Sequence, residues 1–134
     1  MAIVTFLCEY GIKVICLGGE VLEPPSMLLG TDTIDNVRKY NANKMFFSTG
    51  GVSSDGVISS GNIYHYLHNT MQKNSKEVFY LADHQKIDVD CKRIFFDLSK
   101  VDYIISDYVF SNKVKEKYKN TNFVEVETPK TQKY

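Results

Sequence analysis

Short apolar runs alternate along this chain with polar turns and with stretches of helical spacing. Residues 12–17 are β-branched and apolar, the composition of a strand buried on both faces of a parallel sheet. Residues 44–49 and 78–82 form two further strands, each emptying into a polar loop. Between them, residues 30–40 read as a helix. Thr31 or Asp32 caps it, Ile34, Val37 and Tyr40 share one face, and Arg38 and Lys39 suit its C-terminal dipole. Residues 62–73 predict a second helix whose stripe of Ile63, Leu67 and Met71 belongs to the core. A short strand at 93–97 and a clear one at 103–105, closing at Asp107, come next. Ser111 then caps a helix to about Tyr118, with Val114 and Tyr118 facing inward, and Phe123 to Val126 is the last strand. Residues 3–10 are too short to be told apart as strand or helix by periodicity, and Gly11 stops the element. Glu23-Pro24-Pro25 is a loop, and residues 128–134 form a charged tail that frays. This alternation predicts a three-layer α/β domain with a mainly parallel sheet.

The loops that close the strands carry the candidate chemistry. After the run at Met45 to Phe47 comes Ser48-Thr49-Gly50-Gly51, and after the run ending at Ala82 comes Asp83 with Lys86 three residues on. In parallel α/β sheets, ligands sit beyond the carboxyl ends of the strands, so both loops open on one edge. A Gly-Gly turn tolerates positive φ and frees backbone N–H groups to face an anion. Lys86 supplies a cation, and Asp83 orients a hydroxyl or fixes Lys86. The candidate ligand-binding set is therefore Gly50, Gly51, Asp83 and Lys86, suited to a small phosphorylated polyol. Glycines at 50, 51, 56 and 61 with four serines make residues 50–61 the most permissive backbone in the chain. Composition alone divides this stretch evenly between an exposed flexible loop and a ligand loop; its spacing to Asp83 and Lys86 favours the latter. Gly18-Gly19 reads as a tight strand exit ahead of a second anion-facing turn. Asp88 and Asp90 add negative charge close to the proposed site.

Charge and cysteine content narrow the class. The 134 residues hold sixteen basic and sixteen acidic side chains, a balance that argues against a free-standing DNA binder. Cys8, Cys16 and Cys91 are an odd, unclustered set, and no signal peptide precedes them, so a reduced cytoplasmic setting is expected. No metal-ligand spacing is present. His65 and His68 are read as surface histidines, and neither a metal nor a cofactor is expected. No apolar run has the length of a membrane span.

The ordered motifs Gly50-Gly51-Val52, Leu81-Ala82-Asp83-His84-Gln85-Lys86 and Val101-Asp102-Tyr103-Ile104-Ile105-Ser106-Asp107 resemble the C-terminal effector-sensing domain of DeoR-type bacterial transcriptional repressors. Members of that family show G-G-I-x-x-x-G, then L-A-D-S-S-K-F-G, then I-D-x-I-I-T-D. Order and spacing agree over about residues 12 to 127. The family places acidic residues early in the second helix and basic ones within it, where this chain has Ile63, Tyr64, His68 and Asn69. Its Phe-Gly after the lysine is Ile87-Asp88 here. The resemblance implies a fold like that of ribose-5-phosphate isomerase and the CoA transferases, incomplete at the N-terminus, used to bind sugar phosphates without turnover. It favours the last turns of a helix for residues 3–10, with Leu7 facing the core.

On that reading, residues 1–127 are a partial sensor domain, residues 128–134 are a flexible tail, and no DNA-reading helix-turn-helix is present. The expected partners are a phosphorylated sugar effector and further copies of the chain, with DNA reached only through an absent helix-turn-helix and no membrane involved. Two alternatives stay open. One is an isomerase-like enzyme with Asp55 or Asp83 as base and Lys86 stabilising an enediolate, although the aspartate-rich run of the isomerases is missing. The other is a degenerate domain retained for protein association.

Overall fold

The structure, a computed structural model, describes residues 2–22, 27–60, 65–89 and 91–127. The predicted Glu23-Pro24-Pro25 loop, the helix start at Asn62, Ile63 and Tyr64, Gly61, Asp90 and the 128–134 tail lie outside the described residues. The chain divides into two compact units, residues 1–41 and 42–134.

The first unit begins with helix α1 (Ala2–Glu9). It ends where the backbone N–H of Gly11 bonds the Cys8 carbonyl and that of Ile12 bonds the Leu7 carbonyl, a paired termination that satisfies two orphan carbonyls. Strands β1 (Glu20–Leu22) and β2 (Met27–Leu29) pair antiparallel, and helix α2 (Thr31–Val37) follows. Gly30, not Thr31 or Asp32, occupies the N-cap, without a side-chain capping bond. Thr33 and Val37 are the buried residues of this helix, while Tyr40 is exposed. The strand expected at residues 12–17 does not form: Ile12 and Ile15 are exposed, and no ladder partner lies beside them among the described residues. A β-branched run becomes a strand only where another strand takes up its N–H and C=O groups. Here, instead, Asn36 donates to the Leu17 carbonyl at 2.8 Å and Thr33 donates to that of Gly18 at 2.6 Å.

The second unit contains strand β3 (Ala42–Phe47), the hairpin β4 (Gly51–Val52) and β5 (Val57–Ser60), helix α3 (His65–Lys73), and strands β6 (Ser75–Leu81), β7 (Arg93–Asp97) and β8 (Tyr103–Ser106). Helix α4 (Asn112–Lys117) and strand β9 (Asn122–Glu125) complete it. Four strands form a parallel sheet in the order β3-β6-β8-β9, and β4-β5-β7 form an antiparallel sheet. The architecture is thus mixed α/β. The parallel expectation holds for the four-stranded sheet, whereas the short strand predicted at 93–97 joins the antiparallel one.

Strand alternation decides what the parallel sheet buries. Met45 and Phe47 of β3, Val78 and Tyr80 of β6 and Ile104 of β8 point into one core with Ile58, Leu98, Phe110, Val114 and Tyr118. Ser111 caps α4, as predicted, accepting from the Val114 N–H. The opposite face carries Phe46, Phe79 and Tyr103 on register-matched positions of three neighbouring strands. Their rings stack at 4.7 and 4.5 Å between centroids. Phe46 is nonetheless 57 % exposed. A three-layer arrangement covers both faces of its sheet; within this unit one face is buried.

Tyr80 is fully buried at the centre, and its hydroxyl pairs with Thr49 Oγ1 at 2.8 Å. Burial pushes its phenol up to about 12, with the Thr49 hydrogen bond acting the other way. Because the folded value lies above the ordinary 10, the neutral phenol's contribution is complete below pH 10 and is lost as pH climbs toward 12. Tyr80→Phe is expected to cost about 1 kcal/mol at neutral pH by removing the hydrogen bond. It should also flatten the stability loss across that alkaline window, as read from denaturant melts at pH 9 and above. Wild type and variant with parallel alkaline profiles would refute this account.

Candidate functional site

The carboxyl ends of β3, β6 and β8 open into a cleft of about 320 Å³, lined by residues that include Ser48, Asp83, Lys86, Ser106 and Asp107. The parallel sheet accounts for this convergence, since each of these polar residues follows an apolar strand that ends at the same edge. Of the four residues expected to bind ligand, Asp83 and Lys86 line the cleft and Gly50 and Gly51 do not.

Asp83 starts a 3₁₀ turn, His84–Lys86, and accepts the Gln85 N–H at 3.0 Å. Lys86 returns across the cleft floor and donates from Nζ to the Thr49 carbonyl at 3.1 Å. The lysine is therefore held by the exit of β3 and not by Asp83. The same carbonyl neighbourhood is tied down by Tyr80, so the ammonium rests on a fixed platform.

Gly51 has a packing role that the sequence reading did not assign. Gly51 is buried in the β4–β5 ladder opposite Ser59, and it is not among the described glycines of positive φ, which are Gly11, Gly18, Gly19 and Gly56. A Cβ at position 51 would collide with the carbonyl oxygen of Val89, so glycine is required by close backbone approach. The serine- and glycine-rich stretch is likewise a hairpin, with Val52 and Ile58 fully buried, and not a permissive loop. Asp55-Gly56 forms its tip, where Gly56 has φ +87° and packs against Tyr118. Asp-Gly between apolar residues is a hairpin signal, and it was present in the sequence. Asp55 is exposed at that tip and is not part of the cleft lining.

Sequence reasoning did not assign His84 or Asp107 to the site. The Asp107 carboxylate accepts from the His84 backbone N–H at 2.6 Å and meets its ring Nδ1 at 2.5 Å. That side-chain hydrogen bond, with the attraction of the Asp107 charge, raises the His84 imidazole above the usual 6.5. The available signal was the apolar strand at 103–105 ending on a carboxylate, the same pattern that singled out Asp83. His65 and His68 are half-buried. The His68 ring lies 5.5 Å from Phe47 and 5.2 Å from Phe95, and His65 Nδ1 is buried without a hydrogen-bond partner. Among the described residues, no group of three His, Cys, Asp or Glu side chains is placed to hold a metal ion. No helix among them is long and apolar enough to cross a membrane.

A four-stranded parallel sheet with a cleft at its carboxyl edge, together with a small antiparallel sheet, defines a mixed α/β domain. The chain belongs to the family of DeoR C-terminal sensor domains, whose model matches residues 1–108. Among its relatives, the HTH-type transcriptional repressor GlcR of Bacillus subtilis is 26% identical over 97 residues, covering 72% of this chain and 38% of that protein. A lactose phosphotransferase system repressor of Staphylococcus epidermidis is 30% identical over 115 residues, covering 85% of this chain and 44% of its own. Its counterpart in Staphylococcus aureus is 28% identical over 102 residues, covering 76% and 41% respectively. The chain thus spans about two fifths of the length of these relatives.

Gly51→Ala is expected to destabilise the fold by about 1–3 kcal/mol, because the new methyl forces the Val89 backbone away from the hairpin. Lys86→Ala, at a half-buried position outside the core, should cost less. Thermal melts of the two variants check the order, and an unchanged Gly51→Ala melt would contradict the packing role.

Proposed function

We propose that this chain is the effector-sensing part of a DeoR-type transcriptional regulator of carbohydrate metabolism, and that it binds a phosphorylated sugar without turning it over. The observation that carries this reading is the placement of Lys86, Asp83 and Asp107 together in one cleft at the sheet edge. The ammonium takes a phosphate oxygen, and the carboxylates and Ser48 or Ser106 take hydroxyls. Gly50 and Gly51, which do not line the cleft, shape the adjoining backbone in this reading and make no direct contact with the phosphate. The repressor relatives support the regulatory assignment. Ligand acts by favouring one conformation and so repositioning an attached DNA-reading element.

A panel of hexose and pentose phosphates tests the assignment by thermal shift and calorimetry. A ligand at a hundred times its Kd adds about 2.7 kcal/mol of stability. Lys86→Ala should weaken binding of the best panel member at least about tenfold while leaving the fold intact. Turnover of any panel member, or unchanged affinity in Lys86→Ala, would sink the proposal.

Association is the second part of the reading. The stacked strip of Phe46, Phe79 and Tyr103, continued by the exposed Leu81, Val124 and Val126, is an apolar surface on one side of the sheet. Self-association through this strip would remove it from water. Phe46→Glu is therefore expected to shift the protein toward monomer in sedimentation experiments; a wild type that stays monomeric at high concentration counts against self-association.

A further inference from the structure

One lining residue of the cleft, Asp107, is paired with His84, which is not itself among the lining residues. Asp107 is almost fully covered, with its side chain 8% exposed, while the His84 side chain it holds is 53% exposed. Both carboxylate oxygens meet His84: Oδ1 accepts its backbone N–H and Oδ2 meets its ring Nδ1. The imidazole is thereby fixed in orientation on Asp107, which lines the cleft together with Asp83 and Lys86. The charged groups facing it are Asp83 and Lys86 from its own turn and Asp107 from the end of β8. Besides Asp107, the polar lining residues at the ends of β3 and β8 among the described residues are the neutral Ser48 and Ser106.

We propose that His84, held by the cleft-lining Asp107, is a charge-selecting residue that adds a second cation to that of Lys86 for a phosphate group and withdraws it as the pH rises. With His84 protonated, two cations face two carboxylates, and an incoming phosphate dianion meets no net repulsion. With His84 neutral, two carboxylates face one ammonium, and the dianion enters a negative site. The proposal rests on the sugar-phosphate reading above and gives it a specificity: the cleft discriminates by ligand charge, favouring phosphorylated over neutral sugars most strongly on the acidic side. Asp107 is a positioning residue. Its bonds hold the ring, and its charge keeps the imidazole protonated to a higher pH than a free histidine, whose ordinary value is 6.5.

The test compares wild type with His84→Ser and Asp107→Asn, using inorganic phosphate and glucose 6-phosphate as probes. Binding is followed by NMR between about pH 5.5 and pH 9. Ligand ionisation is common to all variants, so it cancels in the ratio of His84→Ser to wild-type Kd. That ratio is expected to be roughly tenfold near pH 6 and to fall toward one near pH 9, in step with the His84 ring resonance. Saturating probe should move the ring titration to higher pH. Asp107→Asn should shift both the ring titration and the fall of the ratio to lower pH, an effect that lost folding does not produce. A ratio that stays flat with pH while wild type binds either probe overturns the role of His84 and leaves the sugar-phosphate reading standing. A wild type that binds neither probe overturns the inference, and the broader sugar-phosphate panel separately decides the reading beneath it.

Discussion

The hydroxyl of Tyr80 on Thr49 is the bond around which the second unit is arranged. Tyr80 sits on the central part of the parallel sheet, in register with Phe47 on one side and Ile104 on the other. Its ring fills the core and its polar tip reaches the point where β3 leaves the sheet. Thr49 also donates to the Gly51 carbonyl at 3.1 Å, which sets the entry to the hairpin, and its own carbonyl receives Lys86. One buried tyrosine thus links the core, the antiparallel sheet and the cleft. A buried hydroxyl left without this partner would carry a desolvation penalty, so the loop is fixed by the cost of releasing it.

From that node the cleft takes its character. The parallel sheet delivers three strand ends to one edge, and that of β6 runs into a short turn whose first residue, Asp83, accepts the Gln85 N–H. This local bond keeps polar side chains in place without a helix above them. The cleft is consequently polar at its rim and apolar along the walls supplied by Leu81, Ile105 and Val126, a combination that suits a ligand with a charged group and a carbon framework.

The sheet's two faces are unequal. Phe47 meets Tyr80 and Phe96 from inside, whereas Phe46, one residue earlier, stacks on Phe79 outside. Period-two alternation makes both consequences of the same strand. An apolar run therefore did not mean two buried faces, and the exposed aromatic strip follows from covering elements packing on one side.

What the sequence determined by itself was local. The capped helix at Ser111, the inward Val114 and Tyr118, the strand ending at Asp107 and the Asp83–Lys86 turn are written in residue type and spacing over a few positions. Such signals need no distant partner. The tertiary structure decided whatever depends on contacts far along the chain. Residues 12–17 have strand composition but no ladder neighbour among the described residues, so they stay irregular. Gly51 is glycine because Val89 lies against it, a neighbour that no local pattern specifies. His84 and Asp107 are twenty-three positions apart, and only the parallel pairing of β6 with β8 places the carboxylate over the imidazole. A strand's sequence fixes which residues share a face, but its register against another strand fixes which of them touch.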